Sequence, residues 1–121
     1  MTHEEFQMVV EKTFAGLPEQ FQEVIENLGI AVEDYPTDEI VSLMKLRSKH
    51  ELLGLYQGTP LPERGSWYGM TPVIPDRIFL YKENIEREGR GRLEETIRET
   101  LLHEIGHYFG MSEEEIRAAG Y

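Results

Sequence analysis

Residues 93–109 carry apolar side chains at helical spacing, and within that run His103 and His107 stand one helical turn apart in the sequence His103-Glu104-Ile105-Gly106-His107. Both imidazoles therefore leave the same face of one helix. With His103 set at zero and about 100° per residue, Thr96 falls at about 20°, His107 at about 40° and Thr100 at about 60°, while Ile97, Leu101, Leu102, Ile105, Tyr108 and Phe109 spread over about 120° to 260°. The fold must bury the apolar side of this helix and leave the histidine side off the core, so neither histidine reads as a core residue. Two imidazoles at this spacing can reach one Zn²⁺, and Glu104, beside the first, is placed to deprotonate a bound water. Chance alone produces the pattern in about 2% of shuffled sequences of this composition. The competing reading is two surface histidines on a solvated face.

Two glycines mark the same segment. Gly106 in mid-helix costs about 1 kcal/mol relative to alanine, which points to close approach of another backbone or a ligand. Gly110 stands where the helix should end, and a glycine in the left-handed region reverses the chain. A catalytic zinc site needs three protein ligands and an open position, so that reversal makes Glu113 a candidate ligand, with Glu114 as its substitute. Ser112 with Glu115 also reads as a capping box, in whose first turn Glu113 and Glu114 suit the helix dipole. A first-turn residue can do both. Only residues 114–121 follow, so the third ligand is expected to be local or upstream. His3 and His50 read as surface residues.

Composition narrows the chemistry further. The chain has no cysteine, which excludes disulfides, thiolate ligands and a cysteine nucleophile and leaves His and carboxylate as metal donors. Its 12 Lys and Arg against 23 Asp and Glu give a net charge of −11, a poor match for nucleic acid. No apolar run is long enough to span a membrane, and the first residues lack the features of a signal peptide, so a cytoplasmic location is expected. The length, 121 residues, suits one domain spanning residues 1–121.

Thr2 and Glu5 form a capping box ahead of Phe6, Val9, Val10, Thr13, Phe14 and Leu17, which predicts a first helix. Pro18 opens a second, with Phe21, Val24, Ile25 and Leu28 at helical spacing and Gly29 to stop it. A short strand is expected over Ile30–Asp34, then a helix capped by Thr37 and ending near Ser48. Leu52–Tyr56 and Arg77–Tyr81 read as further strands. Residues 58–76 hold four prolines and three glycines around Trp67 and Tyr68, a loop whose aromatics either pack it down or face a substrate. Residues 83–92 read as a solvated, mobile connection.

The segments Leu52-Leu-Gly-Leu-Tyr-Gln-Gly-Thr-Pro-Leu-Pro-Glu-Arg64, Pro75-Asp-Arg-Ile-Phe-Leu-Tyr81 and Leu101-Leu-His-Glu-Ile-Gly-His-Tyr-Phe-Gly-Met-Ser-Glu-Glu-Glu115 together resemble the minimal zincin-like family of small bacterial zinc metallopeptidases. The family's extended motif is HExxHxxGxxD. The resemblance implies that His103 and His107 are zinc ligands and Glu104 the base. It also places a ligand at residue 113, where this chain has Glu rather than Asp, one methylene longer. It implies a compact α+β zincin-like fold with N-terminal helices, a small sheet of short strands and the motif helix near the C-terminus.

These readings converge on a zinc-dependent peptidase that holds one Zn²⁺ and acts on a peptide or protein substrate, with no nucleic-acid or membrane partner. Arg64, Tyr56 and Tyr68 are candidate cleft residues for the carbonyl oxygen, and Thr100 is a candidate for the cleft wall. The alternatives are a zinc-binding or regulatory protein with little hydrolysis, and an acidic interaction module without metal.

Overall fold

The computed structural model describes residues 1–58 and 76–119, in which six helices accompany a three-stranded mixed sheet, an α+β architecture. Arg64, Trp67 and Tyr68, with almost all of the Pro- and Gly-rich segment, lie outside the described residues.

Helix α1 (His3–Ala15) starts at the expected capping box: the Glu5 amide donates to Thr2 Oγ1 at 3.1 Å and the Thr2 amide to Glu5 Oε1 at 2.9 Å. Helix α2 (Glu19–Leu28) ends at Gly29, whose φ of 85° lies in the region that glycine favours. Strand β1 (Ile30–Glu33) follows, then α3 (Asp38–Leu43), capped by Thr37. Strands β2 (Gly54–Gln57) and β3 (Arg77–Tyr81) lead into α4 (Lys82–Glu88), α5 (Leu93–Tyr108) and α6 (Glu113–Ala118).

β3 is the central strand, parallel to β1 and antiparallel to β2. Its Ile78 and Leu80 point into a core shared with Phe6 and Val10 of α1, Ile25 and Leu28 of α2, and Ile97, Leu101 and Ile105 of α5. Of the apolar side predicted for α5, Ile97, Leu101, Leu102 and Ile105 are buried, whereas Phe109 is exposed.

Two expectations need correction. Residues 83–92 are not all a mobile connection, because α4 occupies Lys82–Glu88 and buries Ile85 completely. Asn84 ties it down: its Nδ2 donates to the carbonyls of Lys49 and Leu52, each at 2.7 Å. Buried Lys82 pairs with Glu83 at 3.1 Å and Glu86 at 3.2 Å. The third helix also ends earlier than Ser48. Lys45 adopts a φ of 55°, its amide bonds to the Ser42 carbonyl and the Leu46 amide to that of Val41, a left-handed stop made without glycine. No residue of α3 is buried, and Leu43 is 75% exposed.

Candidate metal centre

The histidine side of α5 does not face open solvent. β2 lies along it, and together they form a cleft of about 830 Å³ lined by residues of α5, β2 and the start of α6, and by Met44. Thr96 and Thr100, on that side, are buried, and their hydroxyls donate to the carbonyls of Arg92 at 2.8 Å and Thr96 at 2.7 Å. Thr100 thus lies in the cleft wall with its hydroxyl taken up by the helix.

Half-buried His103 and His107 project into this cleft with ring centroids 5.0 Å apart. Beyond Tyr108 the chain turns at Gly110, whose φ is 78°, and the Met111 amide bonds back to the Gly106 carbonyl at 3.0 Å. Ser112 and Glu115 then form the expected capping box at the start of α6. The turn brings Glu113 back over the histidines. Its Oε1 lies 3.0 Å from Nε2 of each, and its Oε2 lies 2.9 Å from that of His103.

Glu113 therefore stands in the first turn of α6 and reaches both imidazoles from there. Partial burial opposes its ionisation, but the hydrogen bond and charge of His103, with those of His107, outweigh this and hold its carboxyl below the usual range. Gly106 makes the return possible: a Cβ there would lie 2.7 Å from Cγ1 and 2.9 Å from Cδ1 of Ile116, so α6 seats its one buried residue on that glycine. The close approach expected at Gly106 is made by the Ile116 side chain.

Glu104 lies on the same helix but turned toward the sheet, and is 6% exposed. Its Oε1 accepts the Tyr56 amide of β2 at 2.8 Å. Burial pushes its carboxyl up, against the pull of His107, the Tyr56 amide and His103, while Glu113 adds to the rise. His103, Glu104 and His107 each offer a ligand atom within 4.8 Å of one another. Tyr56 meets this group through its main chain, while its ring packs edge-on against Tyr108 at 5.7 Å.

The donor chemistry fits a zinc ion. Zinc bonds of about 2.0–2.2 Å in a tetrahedron put neighbouring donors about 3.3–3.6 Å apart. Glu113 Oε1 already stands near that spacing from the Nε2 atoms of His103 and His107, at 3.0 Å from each.

Sequence reasoning passed over Gly54. A lone glycine inside a strand pattern signals close backbone approach, and a Cβ at Gly54 would lie 2.6 Å from the Thr100 methyl.

A family model described as zincin-like metallopeptidase matches residues 25–121. No curated protein sequence matches the chain.

Proposed function

Because the chain belongs to the zincin-like metallopeptidase family, we propose that it is a zinc-dependent peptidase in which His103, His107 and Glu113 hold one Zn²⁺ and Glu104 is the general base. The observation that carries this reading is the convergence of one Glu113 oxygen on both imidazoles beside a buried carboxylate.

Zinc bound there would polarise a scissile carbonyl and lower the pKa of water. Glu104 takes the proton of the attacking water on a carboxylate oxygen and passes it to the departing amine, so one residue serves as base and then acid. Its burial favours the protonated form that this second step needs, because a carboxyl raised toward the working pH both accepts and releases a proton readily. The Tyr56 amide fixes one carboxylate oxygen and leaves the other for the proton. Strand β2, at the edge of the sheet among the described residues, borders the cleft in which a peptide substrate would lie. Within this reading residues 1–121 act as one catalytic domain and the substrate is a peptide or protein. The setting is cytoplasmic, and no helix among the described residues is long and apolar enough to cross a membrane.

The test joins metal analysis to one substitution. Protein purified without a metal-affinity tag should contain one zinc per chain, and Glu104→Gln should keep that zinc while peptide turnover falls about 10²–10⁴-fold. Protein that takes up no zinc ends the proposal in favour of an acidic interaction module. Zinc uptake with equal turnover in parent and variant removes Glu104 as base. Uptake with no chelator-sensitive turnover in the parent leaves a zinc-binding protein.

A further inference from the structure

The backbone of Gly54 does not require glycine, since its φ is not among the positive values in the chain. What requires glycine is space. Gly54 is buried at the start of β2, and a Cβ there would stand 2.6 Å from Cγ2 of Thr100, 3.0 Å from the Phe79 carbonyl oxygen and 3.6 Å from Cγ of Glu104. The main chain of β2 thus rests directly on α5 one turn before His103.

The register shows what this contact achieves. The Tyr81 amide bonds to the Leu53 carbonyl at 2.9 Å, and Leu55 pairs with Phe79, so these residues turn their polar groups toward β3. In an antiparallel pair the intervening residues turn theirs away. Gly54 and Tyr56 are those residues, and the outward amide of Tyr56 meets Glu104 Oε1 at 2.8 Å. The length of that bond depends on how closely β2 approaches the helix.

We propose that Gly54 is a positioning residue: its missing side chain lets β2 sit on the Thr100 methyl, which brings the Tyr56 amide onto Glu104 and fixes the carboxylate relative to the histidines. The inference rests on the reading of Glu104 as the base, but its geometric part can be measured without turnover.

The experiment compares zinc-loaded parent, Gly54→Ala, Thr100→Ser and the Gly54→Ala/Thr100→Ser double variant. Thr100→Ser removes the methyl that the new Cβ would strike and keeps the hydroxyl that bonds to the Thr96 carbonyl. In Gly54→Ala the Tyr56 amide should exchange with solvent about 10–100-fold faster, the factor expected for a lost hydrogen bond to a charged group. Zinc affinity should stay at the parent's value. On any peptide that the parent cleaves, kcat should fall about 10²-fold with KM little changed, the cost of moving a reacting group by about 1 Å. The double variant should return to the exchange rate and kcat of Thr100→Ser alone.

The inference is overturned if the Tyr56 amide stays protected in Gly54→Ala, if removal of the Thr100 methyl restores nothing, or if zinc affinity falls in step with kcat. If Gly54→Ala alone does not fold, the double variant decides against Thr100→Ser: a protected Tyr56 amide supports the inference and an exposed one overturns it. A parent that cleaves no peptide counts against the peptidase reading, while amide exchange still decides the placement of Glu104.

Discussion

Ile116 of α6 fills the space in which residue 106 would carry its Cβ, with its Cγ1 2.7 Å from that position. Ile116 is fully buried, and Glu113 lies one turn before it on the same short helix. Gly106→Ala should therefore displace α6 and Glu113 with it. We expect a loss of about 1–3 kcal/mol in denaturant unfolding, the usual cost of overpacking, together with weaker zinc binding in a competition titration. Gly106→Ala/Ile116→Val removes one of the clashing carbons and should recover part of both.

Glu113→Ala should lower zinc affinity by more than about 10–100-fold, a loss that outer-shell partners alone can cause. Helix α6 should survive in that variant, because its capping box is made by Ser112 and Glu115. Far-ultraviolet circular dichroism and a zinc competition assay separate the two effects. An unchanged zinc affinity would leave Glu113 with only its place in the first turn of α6.

Zinc itself should stabilise the fold. A ligand that binds only the folded chain adds about 2.7 kcal/mol at 100 times its dissociation constant, so the melting temperature should rise with zinc and fall back with chelator. His107→Ala should remove most of that response.

Tyr81 supplies a pH test of burial beneath the site. Burial, with the charges of Glu33 and Glu104, pushes its hydroxyl up to about 12 from 10.0. The folded chain therefore holds this proton where the unfolded chain has released it. The corresponding stability is complete below the unfolded value and is lost as pH rises through the folded one. Denaturant midpoints should fall between about pH 10 and 12, the interval between the ordinary tyrosine value and the raised one. The fall should be shallower in Tyr81→Phe, and equal slopes in the two proteins would exclude this contribution.

Ile85→Ala tests the helix that follows the sheet. Ile85 is fully buried in the shared core, so its truncation should cost about 2–5 kcal/mol. A solvated connection would lose almost nothing.

That last contrast shows where the sequence was legible. Helix α5 could be read because many apolar residues repeat on one side of it, and the same repetition set the direction of His103 and His107. The capping boxes at Thr2 and Ser112 could be read because the signal is local and chemical. Helix α4 could not, since it offers the core one isoleucine among charged residues and is held by Asn84 bonds to carbonyls more than thirty positions away. The end of α3 was obscure because Lys45 makes a left-handed stop that glycine usually marks. At the site, the motif gave the residues on α5, and the turn at Gly110 made Glu113 a candidate. The contact that holds Glu104 was hidden, because Gly54 becomes informative only once β2 and α5 are in contact.

The Tyr56–Glu104 bond joins positions 48 apart, whereas His103 and Glu113 are separated by only 10. The imidazole and carboxylate donors can thus meet within a helical hairpin, closing a short loop at small entropic cost. Alignment of Glu104 has to wait for the sheet to dock, a non-local event that comes slowly in folding. The three candidate ligands would accordingly come together in a partly folded chain before Glu104 is aligned beside them.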